Sequence, residues 1–213
     1  MLAVSVLCNA LRYHFDKAAM KSCTPDMVVA IPALMGSALL FVTGWVWRSF
    51  GWRAGPMHEV SLGGIHRCIS KFGVFLFLSA ALGAMGGWLL LKAVQQYGPE
   101  TAAFLANLTL VFLVLAGIFS NEKLNLAEGG LILAILFGAF LFARHPSGGV
   151  AGALGLMFLS CGLTAVKQIM VKRVSSNGSF FNVMLVVQLF IGIWALAAGL
   201  SLGHIHVPDL HGW

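Results

Sequence analysis

The residues from Leu89 to Phe142 constrain the possible folds of this chain more than any other stretch. They hold the end of one apolar run and two further long apolar runs, interrupted by polar residues only at 95–100 and 121–124. No globular core needs so many long apolar runs in succession. A helix that crosses a hydrocarbon layer about 30 Å thick, in contrast, needs roughly 20 apolar residues. These runs are therefore predicted to cross a lipid bilayer.

The composition places the whole chain in the same class. Of its 213 residues, 59% are hydrophobic and 9% are charged, whereas soluble domains have about 25% charged residues. The predicted spans are Leu2–Met20, Val28–Trp47, Phe72–Leu91, Ala102–Phe119, Leu126–Ala143, Val150–Val171 and Phe180–Gly203. Their apolar residues are continuous rather than alternating, which favours helices over a β-barrel. The predicted fold class is all-α, a polytopic membrane helix bundle with about seven transmembrane helices.

The distribution of charge predicts how the chain sits in the membrane. The net charge is +6, but the cations lie in loops and near helix ends, so no nucleic-acid partner is predicted. The densest basic loop is Arg48–Lys71, and its part Gly51–Ser70 is expected to be a solvated linker, with a short interfacial helix as the alternative. The positive-inside rule then places this loop, the loops around Lys123 and Lys172, and the N-terminus in the cytoplasm. The predicted location is the cell membrane, specifically a bacterial inner membrane, with the lipid bilayer as a partner.

The cysteines and the loops give no sign of a metal or a cofactor. Cys8, Cys23, Cys68 and Cys161 have no paired spacing, so neither a disulfide framework nor a zinc site is predicted. The sequence also has no Walker loop, and direct use of ATP is not indicated.

Polar residues inside the first span are the first candidates for a functional site. Asn9, Arg12, Tyr13 and Asp16 fall on one helical face, since they are separated by steps of about three and four residues. Ionisable groups at membrane depth usually face a protein interior or a watery cavity. A purely structural pair between Arg12 and Asp16, or side chains that reach the membrane surface near a helix end, are the alternatives.

Further candidates lie in the third and fourth spans. Gly83 and Gly86 are interpreted as sites where helices pack closely, because small residues allow the backbones to approach. Trp88 follows them and is a candidate for the wall of a substrate site. Asn107 is the strongly polar residue of the fourth span, for which an interhelical hydrogen bond is the first interpretation and a ligand contact the second.

An internal repeat connects the first span with the sixth. At an offset of 155 residues (164 − 9), the aligned pairs are Asn9 with Thr164, Arg12 with Lys167, and Tyr13 with Gln168. The segment Arg144–Gly149 breaks the helical pattern between the two copies. Five spans precede it, and an odd number means that the second copy is inverted relative to the first, as in many transporters. The predicted modules are residues 1–145 and residues 150–213.

The order of features after the third span resembles the EamA modules of the drug/metabolite transporter superfamily. These features are a helix end and turn at Lys92–Pro99, the small residues Ala102 and Ala103, the charged turn Asn121–Leu124, and Gly138 in the last helix. The resemblance implies a secondary carrier with ten helices in two inverted modules. This chain would then stop after the seventh helix, either as a fragment, which is the expectation, or as the product of a truncated gene, or as a chain whose bundle a partner completes. Completion by missing C-terminal helices, or a homodimer, is therefore expected.

Together, these observations predict a transporter of a small metabolite or drug-like solute that works by alternating access, and not an enzyme. The predicted cavity-lining residues are Asn9, Arg12, Tyr13, Trp88, Asn107, Lys167 and Gln168. Proton coupling is assigned to His14 or Asp16. The alternative is a non-transporting membrane protein, such as an assembly subunit or a component of a lipid-linked enzyme. Enzymes of that kind usually need clustered acidic or histidine groups at a membrane face, and the loops have few carboxylates.

Overall fold

The computed structural model describes residues 14–51, 59–98, 102, 106–119, 126–143, 150–176 and 178–203. Residues 14–19 are helical, and six longer helices follow. These are α1 (Pro25–Ser49), α2 (Leu62–Tyr97), α3 (Leu108–Phe119), α4 (Leu126–Ala143), α5 (Val150–Ser175) and α6 (Phe180–Ser201). None of the residues in these ranges forms a strand. The predicted all-α fold is confirmed.

Four helices in the described part of the chain are long and apolar enough to cross a membrane. They are α1, α2, α6 and the part of α5 from Leu154 to Ser175, while α3 contains the shorter apolar segment Leu108–Gly117. The exposed face of α1 indicates that these helices are surrounded by lipid. It exposes large apolar side chains every three or four residues, namely Ile31, Met35, Leu39, Val42 and Val46. Water penalises such a face by about 25 cal/mol for each Å², and a bilayer removes this cost.

The helix α2 is longer than its predicted span and begins inside the segment that was expected to be a linker. It starts at Leu62 rather than near Phe72, so the prediction of a solvated linker is wrong for residues 62–70. The reason is an amphipathic pattern: Ile65 and Cys68 continue the buried face of the helix at steps of three and four residues. Arg67, on another face, is exposed.

The helix α3 begins later than its predicted span. Asn107 lies in the turn just before it, and its carbonyl oxygen accepts a hydrogen bond from the backbone N–H of Leu110 at 3.0 Å. Asn is one of the residues favoured at a helix N-terminus, since its short polar side chain competes with the backbone inside a helix. Asn107 is therefore at the start of the helix and not inside it, contrary to the prediction.

The described helices group into two compact units. The first unit contains α2 from Met85, α3, α4 and α5 as far as Val166. The second contains α1, α2 as far as Ala84, α5 from Lys167 and α6. This grouping reports contacts and does not bear on the predicted inverted repeat, which stays a prediction.

In the first unit, α2 and α5 run antiparallel and pack on α3 and α4. Tyr97 near the end of α2 contacts Gly152 near the start of α5, and Gly86 contacts Ser160 and Thr164 further along. The core of the unit consists of Ala93, Val94, Ala102, Leu108, Val111, Met157 and Cys161, with α4 contributing Ile132 and Ile135 at its border. α3 and α4 also contact each other.

In the second unit, α6 packs against α1, α2 and α5. Its buried core consists of Ala33, Cys68, Leu76, Ala80, Val171, Val174, Val183, Val186, Val187 and Ile191. Leu34 of α1 lies over Gly192, where a Cβ would come within 2.5 Å of the leucine side chain. On the α2 side, the Trp194 indole N–H donates to the carbonyl oxygen of Phe77 at 3.2 Å. These contacts join the four helices into one layered core.

Candidate functional site

The predicted site residues of the first span lie mostly outside the described residues. This applies to Asn9, Arg12 and Tyr13. His14 and Asp16 lie in the helical residues 14–19, where His14 is exposed and Asp16 is half-buried. The backbone carbonyl of Asp16 accepts a hydrogen bond from the N–H of Met20 at 3.0 Å, as expected in a helix. Their roles in proton coupling stay predictions.

Trp88 pairs with a cation on its own helix. The Lys92 ammonium nitrogen lies 3.8 Å from the centre of the indole ring. The two residues are four positions apart, so they share a face of α2. A cation over an indole is attracted by the ring's negative face, with a value of about 0.5–1 kcal/mol at exposed sites and more where water is excluded. Sequence analysis selected Trp88 but missed Lys92 as its partner, although the spacing of four indicates it.

Lys167 lies at a helix contact in the second unit. A Cβ at Gly83 of α2 would come within 2.6 Å of Lys167 Cδ and 3.1 Å of Ile191 Cδ1. The aliphatic stem of Lys167 therefore occupies the space that the missing side chain of Gly83 leaves, next to α6. The lysine is half-buried, whereas its neighbour Gln168 is exposed. Gly83 was predicted to be a packing glycine, and this is confirmed.

A second glycine contact lies in the first unit and involves hydroxyl groups. The Ser160 hydroxyl donates to the carbonyl oxygen of Gly86 at 2.7 Å, and both residues are buried. A Cβ at Gly86 would come within 3.0 Å of the Thr164 hydroxyl oxygen. Ser160, Thr164 and Lys167 recur at steps of four and three residues, so they share one face of α5. The glycines of α2 thus contact the polar face of α5, as the small-residue pattern predicts.

A buried amide near the start of α6 was missed by sequence analysis. The Asn182 side chain is 4% exposed. Its Nδ2 donates to the carbonyl oxygen of Glu59 at 2.9 Å, and its Oδ1 accepts from the backbone N–H of Ser61 at 3.3 Å. The amide nitrogen and the amide oxygen of Asn182 therefore each have a hydrogen-bond partner. The partners are 123 and 121 residues away in sequence, which no local periodicity can reveal.

The segment 59–61, which we call the connector, is also held by α1. Arg48 donates a guanidinium N–H to the carbonyl oxygen of Val60 at 2.5 Å. Val60 is 3% exposed, and it packs over Gly44, where a Cβ would come within 2.6 Å of the valine Cβ. The end of α1, the connector and the start of α6 therefore meet in the second unit.

The four predicted cavity-lining residues that the structure describes fall in different units. Trp88 and Asn107, both half-buried, belong to the first unit, and Lys167 and Gln168 belong to the second. The expectation that they line one chamber stays a prediction. Within the described ranges, no three His, Cys, Asp or Glu side chains are grouped so that they could hold a metal ion.

Comparison with known proteins adds one finding. The model of the EamA-like transporter family matches residues 1–144 of the 213 in the chain. No curated protein and no solved structure matches.

Proposed function

We propose that this chain, which belongs to the EamA-like transporter family, is a secondary carrier of a small metabolite or drug-like solute that works by alternating access. Family membership and the multi-pass helical fold support transport in general. The proposal further assigns the protein to a bacterial inner membrane with its N-terminus in the cytoplasm. Assembly with a second copy of the chain belongs to the same proposal.

The position of Lys167 is the observation that carries this proposal. The residue lies in the apolar segment Leu154–Ser175, and a lysine at the centre of a membrane-spanning helix costs about 2.5–3.5 kcal/mol on insertion scales. Its stem packs against Gly83 and Ile191, inside the helix layer of the second unit. A costly cation that is held among helices marks a solute or ion pathway more often than it stabilises a fold.

The remaining assignments follow from the predicted cavity. Asn9, Arg12 and Tyr13 are proposed to line it from the first span, together with Trp88, Asn107 and Gln168. His14 or Asp16 is proposed to couple transport to protons, because an imidazole and a carboxyl group are the side chains that form proton relays in transporters, and both lie near one end of the first span.

Transport by purified protein in proteoliposomes tests the proposal. A panel of radiolabelled sugars, amino acids, organic acids and nucleosides is offered to wild type, to Lys167→Met and to a control, Lys172→Met. Lys172 is exposed in the last turn of the same helix. Wild type is expected to take up at least one compound, and Lys167→Met to reduce uptake about tenfold or more, since a hydrogen bond to a charged group contributes about 1.5–3 kcal/mol.

The Lys172→Met protein is expected to keep its uptake within about twofold of wild type, since surface charges contribute little. Uptake of no compound by folded wild-type protein would contradict the carrier. Equal uptake by wild type and Lys167→Met would instead contradict the role of Lys167 and leave the carrier in place.

A further inference from the structure

We propose that Asn182 is a latch that closes one end of the second unit, and that its release separates the start of α6 from the start of α2. The proposal rests on the proposed carrier function, because alternating access requires one end of the bundle to open while the other is closed. It assigns a conformational role to Asn182, whose side-chain hydrogen bonds to Glu59 and Ser61 involve neither Lys167 nor another predicted lining residue.

The latch is polar and acts on the first residues of α2. Ser61 is the N-cap of α2, since its hydroxyl oxygen accepts from the Gly64 N–H at 2.9 Å. The Ser61 N–H donates in turn to Asn182 at 3.3 Å. Gly64 lies directly beneath the amide, and a Cβ there would collide with Asn182 Nδ2. Asn182 therefore holds the cap of α2 without being part of it, and the cap can survive its release.

Apart from the hydrogen bonds of Asn182, few buried apolar side chains hold this end of α2 in place. Leu62 is 72% exposed, and Arg67 and Ile69 are exposed as well. Between residues 62 and 71, only Cys68 is buried, and the next buried residue of the helix is Leu76. Segments with few buried apolar contacts open first in folded proteins. Opening leaves the carbonyl oxygen of Glu59 with a partner, because Glu59 is exposed and water can replace its hydrogen bond from Asn182.

Asn182 lies on the same helix as Ile191, the residue of α6 that packs beside Lys167. Ile191 of α6 packs at Gly83 beside the stem of Lys167. Residues 182 and 191 are nine positions apart on one helix, which corresponds to about 13 Å along its axis. Separation of α6 from α2 at Asn182 would thus loosen one end of the helix contact that continues through Val183, Val186 and Val187 to Ile191 and the lysine, entirely within the second unit.

Two native cysteines make the proposal testable without knowledge of the solute. Cys68 and Cys161 are both buried thiols, Cys68 one turn beyond Gly64 and Cys161 in the core of the first unit. The full chain in lipid nanodiscs is treated with N-ethylmaleimide for increasing times, and the modification of each cysteine is measured by mass spectrometry of its peptide. The variants are Asn182→Ala and Gly64→Ala, and Gln188→Ala is the control on the same helix.

If Asn182 is the latch, Asn182→Ala and Gly64→Ala each raise the modification rate of Cys68 about tenfold, because this rate follows the population of the open form. Cys161 keeps its rate, and Gln188→Ala leaves both rates within about twofold of wild type. An unchanged Cys68 rate overturns the proposal, and so does an equal rise at both cysteines, which reports general destabilisation. Absence of solute uptake in liposomes would refute the carrier but would leave this measurement unaffected.

Discussion

Gly83 shows how much depends on one missing side chain. Replacement by Ala would bring a Cβ within 2.6 Å of Lys167 Cδ and 3.1 Å of Ile191 Cδ1. Overpacking of this kind lowers the free energy of unfolding by about 1–3 kcal/mol. The higher helix propensity of Ala offsets up to about 1 kcal/mol of this loss. We expect Gly83→Ala to lower the free energy of unfolding by about 1–2 kcal/mol, as measured by titration with a denaturing detergent.

Gly36 is the matched control for this substitution. It lies inside α1, and a Cβ there would meet no atom within 4 Å. Gly36→Ala should therefore leave the free energy of unfolding unchanged or raise it by up to about 1 kcal/mol. If the two alanine variants were equally stable, the close contact at Gly83 would be refuted.

At the scale of single residues, sequence predicts the type of group better than its partner. Gly83 was selected correctly as a packing glycine, since composition and spacing are local properties. The role of Trp88 in the wall of a substrate site stays a prediction. Asn182 was missed because its partners, Glu59 and Ser61, are more than a hundred residues away in sequence. The structure places Lys167 at Gly83, but its predicted role still depends on residues outside the described ranges.

At the scale of helices, the antiparallel contact between α2 and α5 predicts a specific coupling. The Tyr97 hydroxyl sits so close to Gly152 that a Cβ there would collide with it. We expect Gly152→Ala to lower stability by about 1–3 kcal/mol. In the double variant with Tyr97→Phe, removal of the hydroxyl should recover at least about half of this loss. A double-mutant cycle on the free energy of unfolding measures the coupling.

Gly155, on the same helix, serves as the comparison. A Cβ at this position meets no atom within 4 Å. Gly155→Ala should show no coupling to Tyr97→Phe within about 0.5 kcal/mol. A coupling of the same size at both glycines would refute the specific contact between Tyr97 and Gly152.

Helix existence was predictable from the sequence, and helix ends were less so. Apolar runs of about 20 residues have few alternatives in a bilayer, so all six helices were anticipated. The ends depend on competing local effects. Asn107 lies in a turn and α3 begins after it at Leu108, and at Ile65 an amphipathic pattern extended α2 into an expected linker. Polarity alone, without the periodicity of the buried face, gave the wrong interpretation of that linker.

At the scale of the whole molecule, the hydrogen bonds of Asn182 predict a membrane topology. They place the connector between α1 and α2 beside the start of α6. The connector and the turn between α5 and α6 should therefore be on the same side of the membrane, which the distribution of cations predicts to be the cytoplasm. Single cysteines at Glu59 and at Ser176, in a cysteine-free background, should react with an impermeant maleimide only from that side.

A cysteine at Lys21 gives the opposite result in the same experiment. Lys21 precedes α1, and a single crossing by α1 puts it on the other face of the membrane from Glu59. Reaction of positions 21 and 59 from the same side would refute α1 as a spanning helix. Reaction of positions 59 and 176 from the outer side would instead preserve the fold and reverse the predicted orientation.

Family membership was also predictable at this scale. The turn at Asn121–Leu124 and the small residues around it suggested the resemblance, and the family match over residues 1–144 confirms it. The motifs work because they record helix ends and close helix contacts, which relatives share whatever they carry. The solute is not recorded in the same way, since it depends on a few side chains at positions that the fold leaves variable.

The length of α2 has a mechanical consequence. Its 36 residues correspond to about 54 Å, well beyond a hydrocarbon thickness of about 30 Å. A helix with this surplus length either tilts in the bilayer or carries its end turns beyond the hydrocarbon, and each choice sets the depth at which its side chains meet lipid or water.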